Sequence, residues 1–322
     1  MNKISIKGGK FFYCRPEETI LEAALRSGIY LNHSCLTGRC LTCAVKLING
    51  ETSSKLDTIT SSSKDQINIL TCVTKTISDI TLEAEDLNSY GLTSSKLYSA
   101  KINKIEKLTN EISKFTIRFP PSNSIKFIPG QYLNVVKGVV KRSYSIANPI
   151  NFGFVELIIK NYFGGIMSEY WFNHAKVNDL LCLEIPLGTF FIRRCLNTEI
   201  LIFIATGTGI APIKSIIESN LYRENLPNLK RIYIIWGMKY KHELFWQPSI
   251  SGIDLLFMPS FSREKIKKSY VQDVLMELDV SFEKSVIYAC GLPAMISEVK
   301  KISIQKGVKE QNIYFDAFVK SN

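Results

Sequence analysis

The spacing of four cysteines constrains this chain more than any other feature of its sequence. Cys35, Cys40 and Cys43 follow a C-x4-C-x2-C pattern, and Cys72 stands alone farther along the chain. With this spacing, one loop and a distant segment can bring four thiolates to the two irons of a 2Fe–2S cluster. Gly38 lets the loop curl towards the inorganic sulfides, where backbone N–H groups stabilise a negative cluster. The pattern predicts a 2Fe–2S site with these four cysteines as its ligands.

A zinc site is the alternative interpretation of the same cysteines. C-x2-C elements are common in zinc sites, but such sites usually pair two of them, and Cys72 has no cysteine beside it. The chain has eight cysteines, and neither a signal peptide nor an apolar run of about 18–20 residues is visible in it. We therefore expect a cytoplasmic protein without a membrane partner, whose cysteines ligate metal rather than form disulfides.

Three compositional zones divide the chain. Residues 1–88 contain five of the eight cysteines and short alternating strands, with a helix predicted at Thr19–Ser27 because capping and acidic residues precede it. The polar stretch 86–96 is typical of a linker. The predicted domains are residues 1–88, 97–195 and 197–322.

The second and third zones differ in their secondary-structure pattern. From Tyr98 to about Arg194, strand follows strand with turn residues between them, which predicts an antiparallel barrel or sandwich. From Glu199 onward, short apolar strands alternate with helices, which predicts a parallel α/β sheet covered on both faces. The predicted strands of the chain include Ala44–Leu47, Ile77–Glu83, Ser99–Ile105, Ile112–Phe119, Tyr132–Val136, Ser143–Ala147, Val155–Ile159, Leu180–Ile185, Ile200–Ala205, Ile232–Trp236, Leu255–Met258 and Val286–Ala289. The helices predicted in the third zone are Ala211–Asn220, Val271–Glu277 and Ala294–Gly307.

Short motifs in the middle zone suit a flavin. Arg142–Ser143–Tyr144–Ser145 comes soon after Pro129–Gly130–Gln131–Tyr132, and Gly164–Gly165–Ile166–Met167–Ser168 precedes a predicted helix. An arginine fork suits a pyrophosphate, a tyrosine ring suits an isoalloxazine, and a serine hydroxyl can reach its N5. Paired glycines let helix N–H groups approach phosphate. Taken singly, each motif also fits an ordinary strand or turn.

The third zone carries two motifs at predicted strand ends. The first motif follows an apolar strand and opens a helix: Thr206–Gly207–Thr208–Gly209–Ile210–Ala211–Pro212. The second motif ends the last predicted strand: Cys290–Gly291–Leu292–Pro293. Glycines at such a turn let a dinucleotide pyrophosphate approach the helix N-terminus, and parallel sheets bind ligands at strand C-termini. The first motif is not G-x-G-x-x-G, so it does not define a dinucleotide fold by itself.

In their order along the chain, these motifs resemble known families. Residues 1–88 resemble the plant-type 2Fe–2S ferredoxin domain, although Leu41 stands where that domain usually has a small residue. Residues 98–194, through PGQY, RSYS and GGIMS, resemble the FAD-binding barrel of the ferredoxin–NADP reductase family, and residues 197–322, through GTGIAP and CGLP, resemble its NAD(P)-binding half. The resemblance implies a multidomain α+β and α/β fold, with a β-grasp ferredoxin domain, an antiparallel β-barrel FAD domain and a parallel α/β nicotinamide-nucleotide domain.

The resemblance also implies roles for residues around a flavin, which it predicts to be FAD. Arg142 is expected to hold the flavin phosphates, Tyr144 to pack on the ring, and Ser145 to lie beside N5. The implied cofactor-binding residues of the barrel are Arg142, Ser143, Tyr144, Ser145, Gly165, Met167 and Ser168.

For the nicotinamide nucleotide, the resemblance places Cys290 near the nicotinamide C4. Asp316–Ala317–Phe318 matches the closing acidic-x-aromatic element of the family, so Phe318 is expected to cover the flavin face that the nicotinamide must reach. Core packing is the alternative for Phe318. The implied catalytic residues are Ser145, Cys290 and Asp316, and the implied nucleotide-binding residues are Thr206, Gly207, Thr208, Gly209, Pro212, Cys290, Gly291 and Phe318.

The choice between NADH and NADPH stays open. Ser262–Arg263, with Lys268, Tyr270 and Gln272, resembles the residues that grip a 2′-phosphate in NADP-specific members of the family. A basic surface loop explains the same residues equally well, so the predicted nucleotide is NADH or NADPH.

The domain order resembles CDP-6-deoxyhexose 3-dehydrase reductases and the reductase components of multicomponent oxygenases. This resemblance implies that electrons pass from NAD(P)H through FAD to the 2Fe–2S cluster, and then to an electron-acceptor protein. That acceptor is expected to be a deoxyhexose dehydrase, with an oxygenase component as the alternative. A non-enzymatic zinc and nucleotide-binding protein is the alternative from another class.

The positive charge of the chain does not indicate a nucleic-acid partner. Lys and Arg balance Asp and Glu at 10 each over residues 1–88, and outnumber them 30 to 19 over residues 89–322. These cations are scattered singly and form no nucleic-acid motif. We expect a solvated surface with sites for phosphate-bearing cofactors.

Overall fold

The computed structural model of the chain describes residues 1–54, 59–60, 67–123, 125–150, 153–264 and 268–319. The chain divides into two compact units, Met1–Ser94 and Ser95–Asn322. Within the described ranges, no helix has both the length and the apolar character needed to cross a membrane.

The first unit is built on a mixed sheet. Its strands are β1 (Asn2–Ile6), β2 (Phe11–Cys14), β3 (Ala44–Asn49), β4 (Thr52–Ser54), β5 (Ile59–Thr60), β6 (Ile67–Leu70), β7 (Thr74–Thr76) and β8 (Ile80–Glu83). The main sheet has the order β2-β1-β8-β3-β6-β5, with β1 and β8 parallel, and β4 pairs separately with β7. The strand predicted at Ile77–Glu83 begins later, at Ile80, because the chain turns where Ile77 and Ser78 N–H donate to Glu51 O.

Helix α1 (Ile20–Arg26) forms where the sequence predicts it. Thr19 and Glu22 make a reciprocal capping box, in which Glu22 N–H donates to Thr19 Oγ1 at 3.2 Å and Thr19 N–H donates to Glu22 Oε2 at 2.8 Å. The buried face of α1 joins a core cluster that includes Ile4 and Leu82 of the sheet. Burial of this apolar face fixes the helix on the sheet.

The second unit begins with an antiparallel barrel. Its strands are β9 (Lys96–Lys107), β10 (Ile112–Arg118), β11 (Tyr132–Lys137), β12 (Val140–Ser145), β13 (Phe154–Lys160) and β14 (Leu180–Leu187). They lie in the order β12-β11-β14-β9-β10-β13. The outer strands of this order meet through a bridge between Ile146 and Leu157, and Ala147 N–H donates to Glu156 O at 2.8 Å. This contact closes the sheet, so the barrel prediction is confirmed.

The barrel core is covered by a short helical segment. Helix α2 (Ile166–Glu169) continues into a π-helical turn at Tyr170–His174. Met167 and Trp171 from this segment belong to the same buried cluster as Phe115 of β10. The strand predicted at Ser143–Ala147 begins earlier, at Val140, because a tight turn at 138–139 joins it directly to β11.

The second unit ends with a parallel sheet in the order β17-β16-β15-β18-β19. Its strands are β15 (Ile200–Thr206), β16 (Arg231–Met238), β17 (Asp254–Phe261), β18 (Ser285–Gly291) and β19 (Ile313–Ala317), and its helices are α3 (Ile210–Ser219), α4 (Tyr222–Asn225), α5 (Val271–Glu277) and α6 (Pro293–Gln305). All neighbouring strands are parallel, which confirms the predicted α/β architecture.

The barrel and the parallel sheet share one hydrophobic core. Ile112 and Ile158 from the barrel belong to the same buried cluster as Phe203 and Tyr288 from the parallel sheet. Two polar contacts join the same parts of the unit. Ser215 Oγ donates to Asn148 O at 2.6 Å, and Lys214 Nζ donates to Ala147 O at 3.0 Å. Helix α3 is thereby held against the segment that directly follows Ser145.

Candidate functional site

The four predicted cluster ligands lie in the first unit as two close pairs. The Sγ atoms of Cys43 and Cys72 are 3.3 Å apart, and Cys35 and Cys40 each donate a backbone N–H to the other's sulfur at 3.4 Å. A hydrogen bond from Cys40 lowers the pKa of Cys35 to about 4, and one from Cys72 lowers the pKa of Cys43. The pKa values of Cys40 and Cys72 are raised by the same hydrogen bonds.

Two pairs of thiols suit a binuclear cluster, in which four cysteines supply the terminal ligands of two irons. Among the described residues, no group of three or more His, Cys, Asp or Glu side chains is placed to hold a metal ion by itself. The four thiols are gathered as pairs instead, so the donor set fits the 2Fe–2S group in number and chemistry.

The cluster loop is shaped by left-handed backbone conformations. Gly38 has a φ of +75°, as the loop curvature requires, and Thr37 N–H donates to Cys35 Sγ at 3.4 Å. Leu36 and Leu41 are also left-handed, with φ values of +59° and +63°, and their side chains are 40% and 45% exposed. Any residue with a Cβ is strained at the φ of Leu41, and glycine alone avoids that strain.

Strand β12 positions the predicted flavin residues. Successive strand side chains alternate, so Arg142 and Tyr144 leave one face of β12 while Ser143 and Ser145 leave the other. Ser143 Oγ donates to Asn134 Oδ1 on the neighbouring strand at 2.7 Å. Arg142 is half-buried and Ser145 is buried. The strand thus presents a cation, an aromatic ring and a hydroxyl within four residues.

The ring of Tyr144 is held by Trp171, a residue that the sequence motifs missed. Trp171 Nε1–H donates to Tyr144 Oη at 2.9 Å, and the two rings meet edge to face with centroids 5.8 Å apart. Burial raises the pKa of the Tyr144 phenol to about 12, so the phenol is neutral at physiological pH. The contact joins residues 27 apart in sequence, which no local motif indicates.

The glycine turn ahead of α2 is built from backbone contacts. Gly164 has a φ of +74°, Gly165 N–H donates to Tyr162 O at 3.0 Å, and Tyr162 N–H donates to Ser168 Oγ at 3.0 Å. The side chain of Met167 lies in the barrel core. Met167 can therefore contact a phosphate only through its backbone N–H.

The two nicotinamide motifs meet at the carboxyl edge of the parallel sheet. Cys290 of β18 is paired in register with Asp316 of β19. A Cβ built on Gly291 lies 2.2 Å from Thr206 Oγ1, and one built on Gly209 lies 2.3 Å from Cys290 O. Thr206 Oγ1 is buried and has no hydrogen-bond partner among the described residues. The two glycines thus let the motifs at the ends of β15 and β18 pack closely, and the unsatisfied Thr206 hydroxyl at this carboxyl edge fits a dinucleotide site.

Cys290 and Phe318 are more enclosed than the motifs alone indicate. Cys290 is fully buried, and burial, with a smaller effect of the Asp316 charge, raises its pKa well above the usual value, so the thiol stays protonated. Phe318 N–H donates to Gly291 O at 2.8 Å, and its half-buried ring packs against the shared core. The ring therefore makes the core contact considered as an alternative, and its covering of a flavin stays a prediction.

The predicted 2′-phosphate residues lie at the end of β17. Ser262 N–H donates to Met238 O at 3.0 Å and Arg263 N–H donates to Lys239 O at 2.9 Å, which extends the edge formed with β16. The side chain of Arg263 is exposed, as are those of Lys268 and Tyr270. Their role in nucleotide choice stays a prediction.

Comparison with known families defines the class of protein. Residues 4–76 match the 2Fe-2S iron-sulfur cluster binding domain, residues 99–192 the oxidoreductase FAD-binding domain, and residues 203–301 the oxidoreductase NAD-binding domain. These ranges contain the cysteine pairs, the barrel and most of the parallel sheet, respectively. The protein is an NAD(P)H-dependent oxidoreductase with sites for a 2Fe–2S cluster, FAD and a nicotinamide nucleotide.

Within that class, the chain belongs to the family of electron-transfer reductases that serve dehydrase and oxygenase systems. It is 34% identical to protein RfbI of Salmonella typhimurium, over 97% of this chain and 94% of that protein. It is 33% identical to the CDP-6-deoxy-L-threo-D-glycero-4-hexulose-3-dehydrase reductase of Yersinia pestis, over 97% of both chains. Identity to the toluate 1,2-dioxygenase electron transfer component of Pseudomonas putida is 27%, over 97% of this chain and 96% of that one.

A solved structure supports the fold. The ferredoxin reductase in carbazole 1,9a-dioxygenase superposes with a TM-score of 0.68 at 23% identity, covering 99% of this chain and 98% of that one. The predicted fold, cofactors and reductase class are confirmed, and the non-enzymatic alternative is not supported.

Proposed function

We propose that this reductase delivers its electrons to a dehydrase that acts on a CDP-linked 6-deoxyhexulose, the acceptor system named for the Yersinia pestis relative. The observation that carries this proposal is the higher identity to that reductase, 33% against 27% for the toluate dioxygenase component, at equal coverage of this chain. An oxygenase component is the second candidate, favoured by the likeness to the carbazole dioxygenase reductase fold.

The residue roles are part of the same proposal. Cys35, Cys40, Cys43 and Cys72 ligate the 2Fe–2S cluster. FAD is bound by Arg142, Ser143, Tyr144, Ser145 and the backbone of Gly165, Met167 and Ser168. When bound, FAD would accept a hydride and release electrons singly. The nicotinamide nucleotide is bound by Thr206, Gly207, Thr208, Gly209, Pro212, Cys290 and Gly291. Ser262 and Arg263 lie beside its ribose, and Phe318 lies at the flavin. The domains are residues 1–88, 97–195 and 197–322.

Three side chains arrange the reacting groups in this proposal. Ser145, which is buried at the end of β12, supplies a hydroxyl beside the flavin ring. Cys290 supplies a neutral thiol, which adds no charge where the nicotinamide lies. Asp316 stands in register with Cys290 and is 5% exposed, so it places a carboxylate beside that thiol at the carboxyl edge of the sheet.

The location of the protein is proposed from its thiols. The structure describes all eight cysteines, and none of them forms a disulfide. Cysteines that ligate metal or stay reduced are characteristic of reducing compartments, which supports a cytoplasmic location. Fluorescence imaging of a tagged full-length chain would check it.

The test of function is an anaerobic titration of the full-length protein reconstituted with FAD, iron and sulfide. We expect flavin and iron–sulfur absorption that NADH or NADPH bleaches, with the faster nucleotide being the preferred one. Reoxidation by a CDP-6-deoxyhexulose dehydrase with its substrate, and not by an oxygenase component, supports the proposed acceptor. Reoxidation by an oxygenase component, and not by the dehydrase, would show that the acceptor is an oxygenase component. A protein that stays colourless after reconstitution would overturn both.

A further inference from the structure

Trp171 lies in none of the motifs, yet it makes the hydrogen bond that holds Tyr144. We propose that Trp171 is a positioning residue for the flavin, which fixes the Tyr144 ring and directs the Tyr144 hydroxyl as a hydrogen-bond donor towards bound FAD. This inference rests on the proposed role of Tyr144 in FAD binding.

The position of the indole is determined by packing. Trp171 is 2% exposed, and its ring contacts Phe115 and Tyr170 with centroid distances of 4.6 Å and 5.2 Å. It lies in the π-helical turn, where Ala175 N–H donates to Tyr170 O at 2.7 Å across five residues. Single π-helical turns are often found at functional sites. Here the turn carries the indole that donates to Tyr144.

The chemistry of the two groups sets the direction of the hydrogen bond. An indole N–H can only donate, so Tyr144 Oη is the acceptor of the 2.9 Å contact. The O–H of the phenol must then donate elsewhere, and a phenol that accepts one hydrogen bond is a stronger donor in the next. Because burial keeps the phenol protonated, that donor persists across the physiological pH range. An oxygen or nitrogen acceptor on the flavin is the ligand chemistry that this donor suits.

A purely structural role for Trp171 makes different predictions. If the indole only fills the end of the barrel core, removing its N–H while keeping an aromatic ring changes stability and leaves flavin binding alone. If it acts through Tyr144, losing the N–H changes FAD affinity and flavin potential only while the Tyr144 hydroxyl is present. A double-mutant cycle separates the two roles.

The experiment compares Trp171→Phe, Tyr144→Phe and the double variant as full-length proteins. FAD dissociation constants, flavin midpoint potentials and melting temperatures are measured for each. Loss of one hydrogen bond is expected to raise the FAD dissociation constant about 3- to 10-fold in each single variant. The double variant is expected to bind FAD no more weakly than Tyr144→Phe alone, and the midpoint potential of Trp171→Phe is expected to differ from that of wild type.

Trp246→Phe is the matched control. Its partly buried ring packs against the shared core rather than the barrel core, and its indole N–H donates to the exposed Glu218 Oε1 at 3.1 Å, so this variant should keep wild-type FAD affinity and potential. Trp171→Phe with unchanged affinity and potential, or strictly additive losses in the cycle, would overturn the inference. The wild type is titrated with FAD first, because a wild type that binds no FAD would refute the proposed function and not merely the role of Trp171.

Discussion

At the scale of single residues, the cluster loop contains leucines in a conformation that glycine adopts without strain. Leu36 and Leu41 are left-handed and substantially exposed, so burial does little to offset the strain. A left-handed conformation costs an L-residue roughly 1–2 kcal/mol. A glycine avoids this strain, but it loses more conformational entropy on folding and lacks the partly buried leucine side chain, so the two effects nearly cancel.

Replacement of Leu41 by glycine should therefore be nearly neutral. We expect Leu41→Gly to leave the free energy of unfolding of the first unit within about 0.5 kcal/mol of wild type. Ile77→Gly, at an exposed aliphatic residue of the same unit, is the control and should lower it by about 1 kcal/mol. Urea denaturation of the full chain measures both. Equal losses in the two variants would contradict the strain argument.

At the scale of elements, helix α1 is held at both ends by side chains close in sequence. The Arg26 guanidinium bonds Glu18 at 2.6 Å and 2.8 Å and also donates to Tyr13 O at 2.8 Å. The hydrogen bond from Arg26 lowers the pKa of Glu18 to about 2. The bond from Arg26 to Tyr13 O links the last turn of α1 to β2.

This pair predicts an acid-sensitive contribution to stability. Because the folded pKa of Glu18 lies below the unfolded value of about 4.3, the stabilisation is complete above that value and is lost as pH falls towards 2. Glu18→Gln is expected to reduce the free energy of unfolding by about 1 kcal/mol at pH 7, and by less at pH 2–3. Urea titrations at several pH values measure this, with the exposed neighbour Glu17→Gln as the control. A loss that is independent of pH would show that the carboxylate charge is not responsible.

Helix α3 carries a second prediction at this scale. Ser215 Oγ donates to the carbonyl of Asn148, and both residues are buried. Ser215→Ala leaves that carbonyl without its partner and is expected to cost about 1–2 kcal/mol and to slow flavin reduction by NAD(P)H. Ser219→Ala is the control on the same helix, because its hydroxyl bonds the local carbonyl of Ile216. A similar small loss in both variants would mean that the docking contact contributes little.

At the scale of the whole molecule, each unit has its own buried core. Loss of the cluster should therefore leave the second unit folded. We expect Cys72→Ser to lose its iron while NAD(P)H still bleaches the flavin at the wild-type rate, as measured by iron analysis and anaerobic stopped-flow absorption. Cys195→Ser, at a half-buried cysteine outside the loop, should keep its iron. Wild-type iron content in Cys72→Ser would remove Cys72 from the ligand set.

Local patterns in the sequence predict much of this molecule, and contacts between distant residues account for the rest. The cysteine spacing, the α1 capping box and the glycine motifs at strand ends depend on neighbouring residues, so the sequence alone indicates them. The bond between Ser215 and Asn148 joins residues 67 apart, and the bond between Trp171 and Tyr144 joins strand to π-helical turn. Such contacts follow from how the barrel closes and packs, which no spacing rule encodes.

The unequal division of the cores has a consequence for gene fusion. The core cluster of the first unit draws its members from between Ile4 and Ala84, whereas one cluster spans the barrel and the parallel sheet. Recombination at residues 91–95, after the buried Leu87 and the hydrogen-bonded Asn88, exchanges the cluster-bearing unit without dividing either core cluster. Recombination near residue 196 separates the barrel from the parallel sheet, whose side chains share one hydrophobic cluster. Exchange of the first unit between such genes should therefore yield folded proteins more often than exchange of the nucleotide domain alone. Acceptor choice should change more readily than the pairing of flavin barrel and nucleotide domain.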